Sequence, residues 1–544
     1  MKADIILKSD AIFTGLEGQP FKGSMAIAGK NIVYVGREEV PASWIQDETK
    51  VFELGSRLIV PGLSETHMHY LLSATILSKY CCNLVDTKSE EECVELMKDF
   101  REKNPNLDKL IGFGWFPINW TESKVPHALP SKESLDAVFP DISVYLLMAD
   151  CHTFWCNTKA LKICNITKDM EYSFGYLGLG EDEEPNGILS ELELMAPCFN
   201  QFYDFPDDIS EDMQMNLLNE LAKQGLTSFT DVAECTVLSG DSQDLKKIKL
   251  MERKGKLTIR ANVYPSLGIT GDLSLQKAMR RNYSSDMVKI PGLKQFFDGV
   301  TSTYSACLIE PYRDKPETEG RMNYDETIFD HCIVEANQAG FGIKIHCIGD
   351  YAVRKGLDIF EHSKNVNPNY MQCRNSIEHI ESIHYNDIPR FRQLNVTASV
   401  QPVHLPLDAN EKIDRIGMER CEYEWPFRSM IDMGLNLAFG SDSPVSGLNP
   451  YENIYTAVTR KDLDGADTGV NPQEKITVAE ALRAYTYGSA YSHNREDELG
   501  TLEVGKLADV TVIDRNLFDI PEEEIKDCKA SLTIVNGKVV YSDL

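Results

Sequence analysis

Residues 58–69 read Leu-Ile-Val-Pro-Gly-Leu-Ser-Glu-Thr-His-Met-His, an apolar run that stops at a Pro-Gly break and then presents two histidines. On an extended strand, residues i and i+2 project from the same face, so His67 and His69 are expected to lie on one side. Paired imidazoles suit zinc, iron or nickel better than calcium or magnesium. The stretch therefore predicts a buried strand that ends at a pair of metal ligands.

Three later segments have the same form, an apolar strand that ends in a residue able to bind a metal. They run from Phe341 to His346, from Asn375 to His379 and from Leu435 to Asp442. A single His-x-His pair is weak evidence for a metal site, and the repetition of the pattern is what carries the argument. The four segments together indicate metal-dependent chemistry.

The composition indicates a soluble protein with a sizeable core and excludes several classes. The 544 residues are 42% hydrophobic, and no apolar stretch is long enough to span a bilayer. A formal charge of −29 opposes binding to the anionic backbone of nucleic acids. The N-terminus lacks the hydrophobic region of a secretory signal, and the 14 cysteines show no metal or disulfide spacing. We expect a cytoplasmic protein with a small-molecule substrate, and a homodimer is left open.

The two ends of the chain are similar in style. Residues 1–58 and 496–544 contain short β-prone runs separated by turn residues. Asn536-Gly537, between two β-branched runs, is a strong hairpin signal. We therefore predict that both termini join in one small β-sandwich domain.

Between the ends, β-like runs alternate with helical stretches, the pattern of a parallel α/β protein. The candidate strands number eight, as a closed (β/α)8 TIM barrel requires. We place the first barrel strand within residues 59–71 and the remainder of the barrel within 216–495. The candidate strands are Leu58 to Pro61, Leu226 to Asp231, Thr258 to Val263, Leu293 to Phe297, Ile343 to His346, Ser376 to His379, Val396 to Gln401 and Leu435 to Gly440.

The gap between the first and second candidate strands is much longer than the others and predicts an insertion at residues 72–215. A helical stretch lies near Ser89 to Lys103, with β-like pieces near Lys109 to Gly114 and Ile142 to Met148. Connections that follow barrel strands emerge on the catalytic face. The insertion is therefore predicted to form a lid subdomain that shapes specificity.

Several motifs together resemble the amidohydrolase superfamily and, within it, the amidohydrolase-3, YtcJ-like group. This resemblance covers nearly the whole chain. One departure lies at Glu65, where the family usually has aspartate before His-x-His. The motifs are Pro61-Gly62 followed by His67-x-His69, then Lys294 to Gly299, Ile345 to Asp350, Ile377 to His379, Ser399 to Pro402, Phe439 to Val445 and Gly500 to Asp509.

The resemblance implies a centre of one or two divalent metal ions, with zinc favoured. By this likeness His67, His69 and Asp442 bind one ion, and His346 and His379 bind the other. The identity and number of the ions stay open.

The resemblance also implies special roles for two of these positions. Lys294 would bridge the ions as a carbamate derived from CO2, and a buried lysine in a salt bridge is the structural alternative. Asp442 would collect the proton released when a metal-bound hydroxide attacks the substrate, and would pass it to the leaving nitrogen. A helix cap or turn residue is the structural alternative for Asp442.

The predicted function is hydrolysis of a non-peptide, amide-type C–N bond in a small molecule. An N-acyl or N-formyl amine is the leading substrate class. The same metal centre supports two other enzyme types, a deaminase and a cyclic amidase. A non-catalytic binding protein on the same scaffold is a further alternative, and the fold alone does not exclude isomerisation or decarboxylation.

Further residues near strand ends or in the insertion are candidates for contact with substrate, and a packing role is the alternative for each. Asp298 and Asp350 follow ligand strands, where they either orient the ligands or cap the next turn. The substrate-contact candidates are His152, Trp115, Tyr304, Gln401 and His404.

Overall fold

The computed structural model describes residues 2–123, 128–172, 175–232 and 242–544. They form a mixed α/β fold in two compact units. The first unit contains residues 2–69, 218–232 and 242–544, and the second contains the described part of 70–217. None of the helices in these ranges combines the length and apolar character that a bilayer crossing needs.

The strands in chain order are β1 Ile5–Ile12, β2 Phe21–Ala28, β3 Asn31–Gly36, β4 Lys50–Glu53, β5 Leu58–Pro61, β6 Leu63–Met68, β7 Cys82–Asn83, β8 Lys109–Trp115, β9 Ser143–Met148, β10 Thr153–Cys156, β11 Tyr176–Leu179, β12 Pro185–Ser190, β13 Leu226–Asp231, β14 Arg260–Val263, β15 Val288–Lys289, β16 Gly292–Phe296, β17 Gly342–Cys347, β18 Asn375–His379, β19 Val396–Val400, β20 Leu437–Phe439, β21 Val510–Ile513, β22 Ala530–Val535 and β23 Lys538–Ser542. The α-helices are α1 Tyr70–Ile76, α2 Glu90–Lys103, α3 Lys132–Val138, α4 Thr158–Ile163, α5 Leu192–Tyr203, α6 Asp207–Lys223, α7 Gln243–Arg253, α8 Ser274–Tyr283, α9 Glu326–Gln338, α10 Asp350–Val366, α11 Ile388–Leu394, α12 His404–Ile416, α13 Phe427–Asp432, α14 Pro450–Thr459, α15 Val478–Arg483 and α16 Ser489–Ser492.

Both ends of the chain contribute to one eight-stranded sheet, with the order β23-β22-β21-β5-β1-β2-β3 and with β4 paired to β1. The antiparallel pair β5 and β21 joins the N-terminal strands to the C-terminal ones. Asn536 and Gly537, both at positive φ, form the predicted turn between β22 and β23. The division of this region into the two layers of a sandwich stays a prediction.

The first unit also contains two parallel sheets, with the orders β15-β14-β13-β6 and β16-β17-β18-β19-β20. Single parallel bridges join their edges, one between Ser266 and Lys294 and one between Met68 and Ser443. Only two residues separate β15 from β16, and one of them, Pro291, cannot donate a hydrogen bond to a ladder. Within the described residues these strands therefore form two sheets and not one continuous closed sheet.

The prediction that Leu58–Pro61 is the first strand of the parallel sheet is wrong. This segment is β5 of the terminal sheet, and β6, four residues of which are polar, takes its place beside β13. Gly62 separates the two strands, and a Cβ at this position would lie 2.2 Å from Thr227 Oγ1. The backbone of residue 62 thus approaches β13 more closely than a side chain allows. The other seven candidate strands each overlap β13, β14 or one of β16 to β20.

The second unit is built on a six-stranded sheet with the order β11-β12-β10-β9-β8-β7. The predicted helix near Ser89 is α2, and the Ser89 side chain caps it by accepting a hydrogen bond from Glu92 N. The two predicted β-like pieces are β8 and β9. The role of residues 72–215 as a lid stays a prediction.

A buried ion pair joins β14 to the terminal sheet. Arg260 binds Asp509 through two contacts, Nε to Oδ2 at 2.5 Å and Nη2 to Oδ1 at 3.0 Å. Because loss of one partner leaves the other charge buried and uncompensated, we expect Asp509→Ala to lower the free energy of unfolding by about 3–5 kcal/mol. Urea denaturation measures this loss.

The matched control is Asp10→Ala, since Asp10 pairs with Lys22 in an exposed ion pair (2.8 Å). Replacing both Arg260 and Asp509 by apolar residues should recover much of the loss, because no uncompensated charge remains. Equal unfolding free energies for Asp509→Ala and Asp10→Ala would contradict the expectation.

Candidate metal centre

The predicted metal ligands lie in, or directly after, parallel strands. His67 is in β6, Lys294 in β16 and His346 in β17, while His379 is the last residue of β18. Asp442 follows β20. Because parallel strands end at the same edge of their sheet, these strands bring the polar side chains into one region.

His67, His69 and Asp442 form the first group of potential metal ligands. Nε2 of His67 and Nε2 of His69 each lie 3.3 Å from Asp442 Oδ1. The strand ends are tied together by Asp442 N, which donates to His67 O at 2.7 Å, and by His69 N, which donates to Ser443 O at 2.9 Å. Burial would raise the pKa of Asp442, but the charge of His67 and the hydrogen bonds of His67 and His69 hold it well below its usual value.

His379 connects this group to two further imidazoles. Its ring centroid lies 4.7 Å from that of His67, 4.4 Å from that of His346 and 6.0 Å from that of His404. Burial first, and then the neighbouring histidines, lower the pKa of His379 well below its usual value. A neutral imidazole is the form that binds a metal. His379, His404 and Asp442 form a second group of potential ligands.

Two of the predicted ligands have a left-handed backbone, with φ of +71° at His379 and +60° at Asp442. Residues other than glycine rarely adopt this conformation, and such strain is concentrated at functional sites. Adjacent side chains of a regular strand point to opposite faces. The turn at His379 explains why both Glu378 and His379 contact His67.

Side chains behind the histidines fix the orientation of the rings. His67 Nδ1 donates to Glu378 Oε2 at 2.6 Å, and His379 Nδ1 donates to Gln401 Oε1 at 2.9 Å. Because Nδ1 of each ring makes this hydrogen bond, Nε2 of the same ring points in the opposite direction, as is usual for histidines that bind metals. Burial would raise the pKa of Glu378, but Lys344, at 3.0 Å, and His67 hold it well below its usual value.

The sequence analysis did not identify Glu378 and Lys344 as site residues. It proposed Gln401 as a substrate contact, whereas Gln401 accepts the hydrogen bond from His379. A usable signal is the presence of charged residues inside apolar strands, since a buried charge needs a partner. Glu378 stands directly before His379, and Lys344 two residues before His346.

Glu65 ties β6 to the loop that carries Asp442. Its Oε1 accepts hydrogen bonds from His67 N and Ser441 N, both at 2.9 Å, and burial raises the pKa of Glu65 to about 7. The carboxylate fits because Gly440 has no side chain. A Cβ at residue 440 would lie 2.5 Å from Glu65 Oε1 and 2.7 Å from His67 N.

Gly440→Ala is therefore expected to displace Glu65 and the end of β6. We expect a loss of stability of about 1–3 kcal/mol, typical of overpacking, together with a lower metal content. The thermal midpoint and the metal bound per chain measure the two effects. The control is Gly447→Ala in the same loop, where the nearest atom to a new Cβ is Glu452 Oε2 at 3.8 Å. Equal results for both variants would show that the close approach at Gly440 is unimportant.

Lys294 is fully buried, and its Nζ has no hydrogen-bond partner among the described residues. Burial lowers the pKa of Lys294 to about 8, and Nζ lies 4.7 Å from the centre of the Phe296 ring. An orphaned buried amine is costly, and the neutral form of an amine reacts with CO2. The neighbouring histidines and carboxylate fit a divalent transition metal, and a carbamate at Lys294 stays a prediction.

Two further candidates of the first unit, His404 and Tyr304, differ in their distance from the predicted ligands. His404 lies beside the cluster, with Nε2 3.9 Å from Asp442 Oδ2. Burial would lower the pKa of His404, but Glu381 and Asp442 raise it to about 9. Tyr304 contacts residues that are not among the predicted ligands. Its hydroxyl donates to Asp314 at 2.9 Å, and the Arg415 guanidinium lies 3.9 Å from the centre of its ring.

Asp298 lies 3.8 Å from His346 Nε2, and its carboxylate accepts from the backbone N–H groups of residues 307, 348 and 349. Burial raises the pKa of Asp298 to about 7. Asp298 thus holds the turn that follows β17 and is close to a predicted ligand. Asp350 accepts from Ile309 N at 2.9 Å and begins α10, a structural role.

The two candidates of the second unit make contacts within that unit. Trp115 lies in its hydrophobic core, and Nε1 donates to Leu146 O at 3.0 Å, an arrangement that favours packing over substrate contact. His152 Nδ1 donates to Glu191 Oε2 at 3.0 Å, and the His152 side chain is 22% exposed.

Parallel strands that converge on histidines and a carboxylate are the architecture of a metal-dependent hydrolase. A family model described as "Amidohydrolase family" matches residues 50–541, so this protein belongs to the amidohydrolase family and is an enzyme of that class. The resemblance seen in the sequence motifs is confirmed.

Curated relatives align over almost the full chain. Protein LONG AFTER FAR-RED 3 from Arabidopsis thaliana is 29% identical over 99% of this chain and 92% of its own length. Putative amidohydrolase YtcJ from Bacillus subtilis (strain 168) is 26% identical over 93% of each chain. N-substituted formamide deformylase from Arthrobacter pascens is 24% identical over 95% of this chain and 94% of its own.

Solved structures share the fold. An uncharacterized metal-dependent hydrolase from Pyrococcus horikoshii OT3 has a TM-score of 0.76 and 23% identity, and covers 95% of this chain and 99% of its own. An uncharacterized metal-dependent hydrolase from Pyrococcus furiosus has a TM-score of 0.72 and 25% identity, over 94% and 99%.

Proposed function

We propose that this protein hydrolyses an amide-type, non-peptide C–N bond of a small molecule, with an N-formyl or N-acyl amine as the substrate. The observation that carries this proposal is the group formed by His67, His69 and Asp442, with both Nε2 atoms 3.3 Å from one carboxylate oxygen. The relative named N-substituted formamide deformylase, 24% identical, supports the choice of substrate class.

We infer that the two parallel sheets make one interrupted (β/α)8 barrel. There are eight strand positions if β15 and β16 count as one strand, in the order β6, β13, β14, β15/β16, β17, β18, β19 and β20. The two single bridges lie where a closed barrel needs contacts between the two sheets. The second unit begins at residue 70, directly after His69. This connection supports a lid role for residues 72–215.

We assign the metal to side chains of this one region. Zinc suits imidazole and carboxylate ligands, and a bound ion supplies Lewis acidity that lowers the pKa of water and polarises a carbonyl oxygen. The residues that would hold the metal are His67, His69 and Asp442 for one ion, His346 and His379 for a second, and Lys294, as a carbamate, between them.

Asp442 would carry the proton. In the hydrolysis, a water oxygen bonds to the carbonyl carbon, the C–N bond breaks, and one water proton moves to the leaving nitrogen. Asp442 Oδ1 faces His67 and His69, and Oδ2 lies 3.9 Å from His379 Nδ1 and from His404 Nε2. A buried carboxylate in this position can accept the proton and return it.

The test is a panel of N-formyl and N-acetyl derivatives of alkyl and arylalkyl amines, supplied to zinc-loaded protein, with a separate panel of aminated heterocycles and cyclic amides. We expect release of a free amine and a carboxylate from the first panel. Ammonia as the product would favour a deaminase, and ring opening a cyclic amidase. No turnover at full metal content would favour a binding protein. Cytoplasmic location and the homodimer stay predictions.

A further inference from the structure

The Phe296 side chain lies among the predicted ligands without being a ligand itself. It is the last residue of β16, and it is partly exposed whereas the four residues before it are buried. Phe296 is paired in register with His346, and the two ring centroids are 5.3 Å apart. Lys294, two residues earlier and so on the same face of the strand, has Nζ 4.7 Å from the ring centre. The ring thus contacts two predicted ligands and keeps part of its surface uncovered.

Phe297, and not Phe296, packs the end of β16 into the core. Phe297 is fully buried and stacks on Phe329 with ring centroids 4.1 Å apart. Phe296 is held through its backbone, since Asn323 Nδ2 donates to its carbonyl oxygen at 3.2 Å. Uncovered aromatic surface is unfavourable in water, and an apolar group that covers it gains free energy in proportion to the area removed from water. A partly exposed ring beside metal ligands is therefore suited to contact an apolar part of a substrate.

Two lysines near the histidines are already paired, so neither is free to bind an anionic group of a substrate. Lys344 Nζ lies 3.0 Å from Glu378 Oε1. Lys412 Nζ lies 3.1 Å from Glu381 Oε2 and 3.5 Å from Glu424 Oε2. Both lysines are fully buried. Because a buried charge without a partner is costly, an uncharged substituent is the better match for this region.

Given the proposed hydrolysis, on which this inference rests, we propose that Phe296 determines specificity and that its ring covers a neutral, apolar substituent on the substrate nitrogen. In an N-formyl amine the acyl carbon carries only hydrogen, so the nitrogen substituent supplies the apolar surface. The preferred substrates are then N-formyl amines with alkyl or arylalkyl groups. N-formyl amino acids, which carry a carboxylate on that substituent, are poor substrates.

The test compares kcat/KM for the N-formyl derivatives of methyl-, ethyl-, propyl-, butyl- and benzylamine in zinc-loaded wild-type protein and in Phe296→Ala. Burial of one methylene corresponds to about fourfold, so we expect kcat/KM of wild-type protein to rise by about this factor for each added carbon. In Phe296→Ala the factor should fall toward one, while N-formylmethylamine stays within about twofold of the wild-type value.

Charge is tested by two substrates of similar shape, N-formyl-3-methylbutylamine and N-formyl-β-alanine. The first ends in an isopropyl group and the second in a carboxylate. We expect wild-type kcat/KM to be at least about tenfold higher for the neutral compound, because the carboxylate loses its water without gaining a partner.

The matched control is Phe21→Ala. Phe21 of β2 is also partly exposed, and the Arg37 guanidinium lies 4.7 Å from its ring centre. This variant should keep the wild-type dependence on chain length. Metal per chain and the thermal midpoint are measured for every variant, and Phe296→Ala should keep its metal. If Phe296→Ala loses metal or does not fold, Phe296→Leu decides the matter. Loss of the ring should then lower kcat/KM for the benzyl derivative more than for the butyl one, and an unchanged ratio overturns the proposal.

The remaining outcomes separate this inference from the proposed function. The role of Phe296 alone is overturned by equal losses for every nitrogen substituent in Phe296→Ala at full metal content, by wild-type rates that do not depend on chain length, or by faster hydrolysis of N-formyl-β-alanine than of its neutral counterpart. Faster hydrolysis of N-butyryl than of N-formyl amines by Phe296→Ala would put the ring on the acyl side and also overturn it. Absence of wild-type turnover with every N-formyl and N-acetyl amine overturns the proposed function and this inference with it.

Discussion

Asp442→Asn is expected to lower kcat about a thousandfold, within the range typical of general acid–base residues, while the protein stays folded. Asparagine has the shape of aspartate and keeps one oxygen toward His67 and His69, but its amide does not take up a proton near neutral pH. The carboxylate that would shuttle the proton is thereby removed with little change in packing. The measurement is kcat at saturating zinc, beside metal per chain and the thermal midpoint.

Asp350→Asn is the matched control for this prediction. Asp350 also follows a strand that carries a predicted ligand, but its carboxylate accepts from Ile309 N in the loop before α9. We expect its kcat to stay close to that of wild-type protein. A wild-type rate for Asp442→Asn at full metal content would remove Asp442 as the proton carrier. A fall in kcat that tracks only a fall in bound metal would make Asp442 a ligand and nothing more.

Most strands of the parallel sheets could be predicted because they are short runs, separated by helical stretches, in which β-branched or apolar residues recur even where polar residues interrupt them, as in Leu-Thr-Ser-Phe-Thr-Asp of β13. Leu226 to Asp231 coincides with β13, and the candidates from Ile343, Ser376 and Val396 start within one residue of β17, β18 and β19. Such strands are buried along their length, but several include polar residues, as Asn375-Ser376-Ile377-Glu378-His379 of β18 does.

β6 could not be recognised in this way because it is polar and directly follows a fully apolar segment, Leu58–Pro61. Several of its buried side chains have partners on other elements, as in the bond from Ser228 Oγ to Ser64 Oγ at 2.7 Å and the bond from Ser441 N to Glu65 Oε1 at 2.9 Å. Hydropathy therefore favours Leu58–Pro61, which pairs with β21 instead. β15 has only two residues, too few for any periodicity.

The side chains that orient the histidines also could not be predicted from the sequence. Glu378 and His67 are in contact but 311 residues apart in sequence, and nothing in the local pattern of either segment encodes the pairing. The same holds for Lys412 of α12, whose side chain is buried and pairs with Glu381, 31 residues earlier in the sequence. Ligand positions follow from local sequence, whereas their supporting contacts require the three-dimensional arrangement.

Lys294→Ala is expected to lose most of the bound metal and to lower turnover more than a hundredfold, beyond the 10–100-fold typical of residues that only support ligands. The reason is that alanine cannot form the carbamate that would bridge the two ions. Formate, acetate or propionate could enter the space that the side chain leaves and supply a carboxylate. We therefore expect these acids to restore part of the metal content and of kcat, with an optimum at one chain length.

The matched control for this rescue is Lys344→Ala. Lys294 and Lys344 are paired in register on neighbouring strands, and both are fully buried. Lys344 Nζ is already paired with Glu378 at 3.0 Å, whereas Lys294 Nζ has no hydrogen-bond partner among the described residues. An added carboxylate would be repelled by Glu378, which loses its lysine partner in Lys344→Ala, so this variant should lose stability and show no rescue. Rescue of both variants would indicate a nonspecific effect, and full metal content and rate in Lys294→Ala would show that the lysine carries no bridge.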